Sequence, residues 1–183
     1  MSGAWQEDVL KFWFGELTPQ DWFEPNNATD AAILDRFLPL HERLKQELPQ
    51  AALSDPRAAL AAILVFDQFP RNMFRRQAAA FATDELAMRV ASNAVEKGLD
   101  EGMTEAERQF LYMPYMHSEV LADQERAVML FKGLGNEDAL KYAIEHRDIV
   151  ARFGRFPHRN RVLGRTSSEE EQAFLEGHAG YGQ

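Results

Sequence analysis

The stretch DPRAALAAILVFDQF, Asp55 to Phe69, decides the fold class. Asp55 followed by Pro56 marks a helix start: the carboxylate accepts from unpaired backbone N–H groups, and proline fills the first helical position, where no N–H is needed. From Ala59 to Phe69 the segment is apolar on nearly every face. A helix without a polar side belongs at the centre of a domain, surrounded by other helices. It is expected to stop before Pro70, which lacks the donor that would continue it.

Outward from this stretch, both flanks keep the helical period. On the N-terminal side, Trp5, Val9, Phe12 and Trp13 share one face of a first helix that Gly15 ends. The turn-rich segment Thr18–Asn27 carries Trp22 and Phe23, which are expected to tuck back as an ordered loop. A second helix begins near Thr29 or Asp30 with the stripe Ile33, Phe37, Leu40 and Leu44, and ends at Leu48-Pro49. Pro39 lies inside it and predicts a kink or a split. On the C-terminal side, Thr83 or Asp84 caps a helix through Met88, Val90 and Val95 to Lys97. Thr104 and Glu107 form a capping box opening a helix through Phe110 and Leu111, interrupted near Pro114 and resuming through His117 and Glu119. Another runs from about Asp123 to Lys132, stopped by Gly133-Leu134-Gly135, and the next from Asn136 or Asp138 to Phe153, stopped by Gly154. Ser167 and Glu170 pattern as a second capping box for a last short helix that ends at Gly177, followed by a frayed tail. No segment alternates with period two between hairpin turns. The reading is all-α: antiparallel helical hairpins, packed pair on pair, in one domain over residues 1–183.

The totals agree. A chain of 183 residues fits one domain with a core large enough to need no staple. It has no cysteine, which excludes disulfides, thiolate catalysis and Cys-ligated metals and suits a reducing compartment. The N-terminus MSGAWQEDVL lacks the pattern of a signal peptide. The most apolar run, Ala58 to Phe66, is far shorter than the ~20 residues a bilayer requires. A net charge of -9 and a pI near 5.1 argue against generic nucleic-acid binding. The expectation is a cytoplasmic protein without membrane or nucleic-acid partners, with an oligomer left open.

Against that acidic background stands a cationic island, EHRDIVARFGRFPHRNRVLGR at Glu145–Arg165, which concentrates Arg147, Arg152, Arg155, Arg159, Arg161 and Arg165 with His146 and His158. Such an island requires either an anionic ligand or carboxylates from elsewhere in the fold. Arg155, His158 and Arg159 lie in a loop stiffened by Pro157. They offer planar, multi-donor groups to a carboxylate or phosphate, or else bridge helix ends as an internal clamp. Asp67 and Arg71 sit at the end of the apolar helix, either satisfying its open carbonyls or projecting into a cleft. His117 is a general base or metal ligand oriented by a carboxylate from another helix, or else a hydrogen-bonded core residue, with Ser118 and Glu119 following it. His146 falls on the buried stripe with Tyr142, Ile149 and Phe153, as a core histidine or the second member of a site with His117. Lys141–Glu145 and Asp148–Arg152 have the spacing of helix-supporting ion pairs. Metal-ligand spacing and a phosphate-binding glycine loop are both missing, so neither a metal nor another cofactor is expected.

With VLKFWFGE at Val9–Glu16, ILVFDQFPRNMFR at Ile63–Arg75, AFATDELA at Ala80–Ala87, RQFLYMPYMHSE at Arg108–Glu119, DQERAV at Asp123–Val128 and HRDIVARFGRFPHRNRVLGRTSSEE at His146–Glu170, the chain resembles the bacterial domain of unknown function 924 family. The resemblance covers nearly the whole chain and implies a tetratricopeptide-like helical superhelix. It implies no activity, substrate or cofactor.

Three functions follow from these residues. The first is a binding module whose groove, lined by Asp67, Arg71, His117, His146, Arg155, His158 and Arg159, takes an anionic small molecule or an acidic peptide. The second is a hydrolase or lyase on an anionic substrate, with His117 or His158 as acid/base and Glu119 or Asp67 as partner. The third is a structural or interaction scaffold whose polar core holds the helices in register.

Overall fold

The computed structural model describes residues 4–178, 180 and 181. Among them every regular element is helical. The elements that matter here are α1 (Trp5–Lys11), α2 (Pro19–Phe23), α3 (Asn27–Gln46), α4 (Pro56–Ile63), α5 (Phe69–Met73), α6 (Asp84–Glu96), α7 (Glu105–His117), α8 (Leu121–Leu134), α9 (Glu137–Phe153) and α10 (Glu169–Gly177). No helix among the described residues is long and apolar enough to cross a membrane.

Helix α4 is the axis. Every residue from Ala58 to Ile63 is buried, and α1, α6 and α7 pack around it. Asp55 caps it as expected, accepting from the Ala58 N–H at 2.8 Å. The helix does not stop before Pro70. A π turn over Leu64–Gln68 carries the chain into α5, which runs through Pro70 to Met73. Pro70 has no N–H for either the Phe66 carbonyl (α register) or the Val65 carbonyl (π register). Both find side-chain donors from elsewhere: Thr83 Oγ1 donates to Phe66 O at 2.7 Å, and His41 Nδ1 to Val65 O at 3.1 Å. Thr83 therefore does not cap α6 with its side chain.

Two further prolines fail to break their helices. Pro39 lies on an exposed stretch of α3, and the helix continues to Gln46; the residue whose carbonyl loses its partner, Asp35, is itself exposed, so solvent can reach it. Pro114 lies in α7, which is unbroken to His117; the buried run Phe110–His117 holds it from both sides. Glu119 is thus beyond the helix. The segment after Thr18 is also more regular than a loop, with a Thr18/Asp21 capping box opening α2. Trp22 does fold back: its Nε1 donates to the Trp13 carbonyl at 2.8 Å, one freed by a second π turn at Phe12–Glu16.

The C-terminal helices α7, α8 and α9 pack successively through short connections. At the C-terminal end of α9, Ile149 and Val150 form a small separate core with Phe156 from the loop after it, against which Phe153, Phe174 and Tyr181 pack. The second capping box uses Ser168 and Glu171, one residue later than Ser167 and Glu170. Consecutive serines and glutamates satisfy the pattern in either register, and the ion pair of Glu171 with Arg155 selects one. The ion pairs expected within α9 form differently: Lys141 meets Asp138, Arg152 meets Glu170, and Glu145 meets His178. In the tail, His178 and Tyr181 pack against the histidines of α9 and its loop, whereas Ala179, Gly182 and Gln183 lie outside the described residues.

Candidate functional site

A cleft of about 880 Å³ opens beside the π turn that ends α4. Its apolar wall comprises Trp22, Phe23, Phe81, Met113 and Met116. Phe23 remains 56% exposed although it stacks on Phe110 at 6.1 Å. Arg71, Asn72, Arg75 and Arg76 enter from α5 and the turn after it, while Asp138, Tyr142, Glu145 and His146 enter from α9. His117, His158, His178 and Tyr181 complete the floor and one end.

Beneath the floor lies a charged network. Asp67, on the π turn, is completely buried. It accepts from His117 Nδ1 at 2.7 Å and Gln68 Nε2 at 2.7 Å, and Arg71 Nη1 stands 3.5 Å away. Arg71 donates to the Asp67 carbonyl at 2.7 Å and grips Asp84 with both terminal nitrogens at 2.8 and 3.0 Å. Arg159 closes the group, with Nη1 3.8 Å from Asp84 and Nη2 donating to the His117 carbonyl at 3.0 Å. Two carboxylates and two guanidiniums balance, which is the condition for keeping ionised groups this deep.

The protonation states follow. Burial alone would push Asp67 up, but the His117 charge whenever that ring is protonated, the Arg71 charge and the bonds it accepts from His117 and Gln68 outweigh that and hold it below the usual carboxylate range. Burial drives His117 below its ordinary value, and the Arg71 charge adds to this against the pull of Asp67. At neutral pH the pair is therefore a carboxylate and a neutral imidazole that gives its Nδ1–H to Asp67. Burial would lower Arg71, but Asp84 and Asp67 raise it instead. Burial and the neighbouring Arg71 bring Arg159 down to about 10, which leaves it charged.

His146 repeats the arrangement of His117. Its Nδ1 donates to the Tyr142 carbonyl at 2.6 Å, and its ring centre lies 6.5 Å from that of His117. Burial, with the His117 charge second, pushes it down to about 3. Neither Nε2 has a hydrogen-bond partner among the described residues. Tyr181 stacks on His146 with ring centres 4.1 Å apart.

Among the residues expected at the groove, Arg71, His117, His146 and His158 line this cleft, and Asp67 supports it from behind. Arg155 and Arg159 do not line it. Arg155 binds Glu171 through two nitrogens at 2.7 and 2.9 Å and tethers α10 to the loop after α9. Glu119, a candidate partner for catalysis, accepts instead from the Phe156 N–H at 2.7 Å and from Arg165 at 2.8 and 2.9 Å. Ser118 donates to Asp123 at 2.6 Å. The cationic island is thus answered largely by carboxylates from elsewhere in the fold: Arg152, Arg155, Arg159 and Arg165 each meet one outside it, and Arg147 meets Asp148.

Sequence reasoning missed Arg75, Arg76, Asp84 and Tyr181. Arg75 binds Asp30 with Nε at 2.9 Å and Nη2 at 2.8 Å, and Asn72 reaches the same carboxylate at 2.8 Å. Arg76 is exposed, in left-handed backbone at φ 63, with no ion pair among the described residues. The adjacent arginines after a helix were the signal available for it. Nothing local marks Asp84 as more than a helix-start acid.

No curated protein matches the chain. Among solved structures, a protein of unknown function from Agrobacterium tumefaciens, ATU0120, superposes with a TM-score of 0.92 at 40% identity, over 97% of this chain and 100% of that one. The profile of a family described as bacterial protein of unknown function (DUF924) matches residues 9–179. The chain belongs to that family.

Proposed function

We propose that the cleft binds an anionic small molecule carrying an apolar portion. The observation that carries this is Arg76. A non-glycine residue in left-handed backbone costs roughly 1–2 kcal/mol, and the side chain this conformation presents to the cleft is a cation without an ion pair among the described residues. Strain retained at a cleft is a mark of function rather than of folding. Arg71, Asn72 and Arg75 beside it are fixed by Asp84 and Asp30, so the anion would meet preset donors. Trp22, Phe23, Met113 and Met116 supply the surface for an apolar group.

Glu24, Asp138 and Glu145 also line the cleft. They favour a mono- or dianion over a polyanion or an acidic peptide, since each added negative charge would meet a carboxylate. The successive packing of α7, α8 and α9 supports a tetratricopeptide-like arrangement with the cleft against its C-terminal helices.

Thermal-shift titration with aliphatic and aromatic mono- and dicarboxylates and inorganic phosphate tests the reading. A ligand at 100 times its Kd adds ~2.7 kcal/mol, or a rise of roughly 5–10 °C for a domain of this size. The rise is expected to vanish in Arg76→Ala. Equal shifts in both proteins would place the anion elsewhere.

A further inference from the structure

We propose that the cleft is an active site in which His117 is the general base and water the nucleophile, acting on a carboxylic ester whose acyl part bears a second, free carboxylate. This rests on the anion-binding reading of the cleft and adds chemistry to it. Three observations carry it.

First, His117 has the geometry of a base. Its ring is locked through Nδ1–H to Asp67 at 2.7 Å, its backbone carbonyl is held by Arg159 at 3.0 Å, and its imidazole lines the cleft. The tautomer this fixes leaves the lone pair on Nε2, which has no protein partner among the described residues. Second, Asp67 is held in place by more than folding requires. Apolar packing would fill a completely buried position at lower cost than a carboxylate gripped by Gln68 and Arg71, with Arg71 itself anchored on Asp84. That network terminates on one cleft-facing imidazole. Third, no side chain lining the cleft is a serine, threonine or cysteine, and Ser118 next to His117 is committed to Asp123. Among the described residues the base thus has no alcohol or thiol nucleophile in the cleft; the hydroxyls there are the phenols of Tyr142 and Tyr181, the latter stacked on His146 and held protonated by burial, which leaves water to attack. His146, with its Nδ1–H on the Tyr142 carbonyl and its ring 6.5 Å from that of His117, presents a second Nε2 acceptor to orient that water.

The step balances as a hydrolysis. His117 Nε2 takes one proton from the water as its oxygen forms a bond to the ester carbonyl carbon, and the carbonyl electron pair moves onto oxygen. Gln109, which lines the cleft, is the amide available to donate to that oxyanion, and Arg76, also in the lining, is the cation available to the free carboxylate. Collapse of the tetrahedral species breaks the ester C–O bond, and His117 returns its proton to the departing alcohol oxygen. The products are an alcohol and a carboxylic acid, which gives its remaining proton to solvent and leaves as the dicarboxylate, and Nε2 is free again. An ester carbonyl needs only a base and donors, whereas phosphoryl transfer would demand more charge neutralisation than one unpaired arginine provides.

Asp67 is a positioning residue here. The groups facing His117 are Asp67 and Gln68 on the π turn, Arg71 on α5, Asp84 on α6, His146 on α9 and Arg159 on the turn after it. The test is hydrolysis of mono-(p-nitrophenyl) succinate by the full chain, with neutral p-nitrophenyl butyrate as control. The anionic ester is expected to react with the higher kcat/KM, and kcat is expected to rise through a single inflection below the ordinary histidine range. His117→Ala should lower kcat by at least about 100-fold, and added imidazole should restore part of it. Asp67→Asn should shift the inflection, and Arg76→Ala should raise KM with little change in kcat. Circular dichroism keeps misfolded variants out of the comparison, and imidazole rescue is a readout that a purely structural histidine would not produce. Hydrolysis equal in wild type and His117→Ala overturns the proposal. If the anionic ester raises the thermal midpoint but is not hydrolysed, the base is overturned and the anion cleft stands; if it does neither, both fall.

Discussion

Replacing His146 by asparagine isolates one buried titration. Asparagine places an amide N–H where Nδ1–H donates to the Tyr142 carbonyl, so the hydrogen bond survives while the ionisation is removed. His146 is 5% exposed, and its folded-state value of about 3 lies well below the ordinary 6.5, because burial excludes the cation and His117 repels it. The sign follows from proton binding. Below the ordinary value the unfolded chain binds a proton that the folded chain refuses, so stability is complete above about pH 6.5 and falls as pH drops toward about 3. The slope is ~1.4 kcal/mol per pH unit. Between neutral pH and about pH 4.5 the wild type should lose ~3 kcal/mol through this residue, a large share of the roughly 5–15 kcal/mol a domain possesses. His41, also held below the ordinary value by burial, titrates in both proteins and cancels in the difference, whereas His117, 6.5 Å away and coupled to His146, titrates more easily once the His146 cation is gone, so the double variant with His117→Asn separates the two. Urea denaturation at several pH values reads the result. His146→Asn should start less stable, through lost packing against Tyr181 and Phe156, and the gap to wild type should close as pH falls. A gap independent of pH would show that His146 takes up its proton as readily in the folded protein as in the unfolded chain and refute the burial argument.

Thr83→Val keeps the shape of a side chain 1% exposed but leaves the Phe66 carbonyl without a donor. Denaturant titration should show a loss of about 1–3 kcal/mol, and a neutral result would mean that Pro70 is accommodated some other way. Arg76→Gly relieves the left-handed backbone, so it should gain up to about 1 kcal/mol while losing affinity for carboxylates in the same titration. Arg155→Ala unties Glu171, whose own value is brought down to about 2 chiefly by that arginine. Hydrogen exchange should then quicken in α10 and leave α4 unchanged; quickening throughout would mean that the C-terminal clamp also supports the main core.

The sequence made some features of the site legible and hid others. The Asp55 cap, the Thr104/Glu107 box and the apolar helix were readable because each is set by residues within a few positions of one another. Pro70 misled because a local rule says that proline ends a helix, and the donors that rescue its two orphaned carbonyls come from 17 and 24 residues away along the chain. The cationic island was visible as an excess of charge. Its division into clamp and cleft was not, because the partners of Arg155, Arg159 and Arg165 lie on α10, on α6 and after α7. Arg76 escaped notice because left-handed backbone at a non-glycine residue leaves no mark in composition.

By itself the sequence determined the helical class, the element that lies at the centre, most of the caps and stops, and the residues rich enough in chemistry to form a site. These depend on period and neighbour, which act over one or two helical turns. Only the tertiary structure decided that His117 is oriented by Asp67, 50 residues away, rather than by nearby Glu119, which Arg165 occupies from 46 residues away. The reason is physical. A buried carboxylate takes whichever cation or donor the packing brings within hydrogen-bonding distance, and a helix points neighbouring side chains about 100° apart, so residues adjacent in the chain are seldom partners in space.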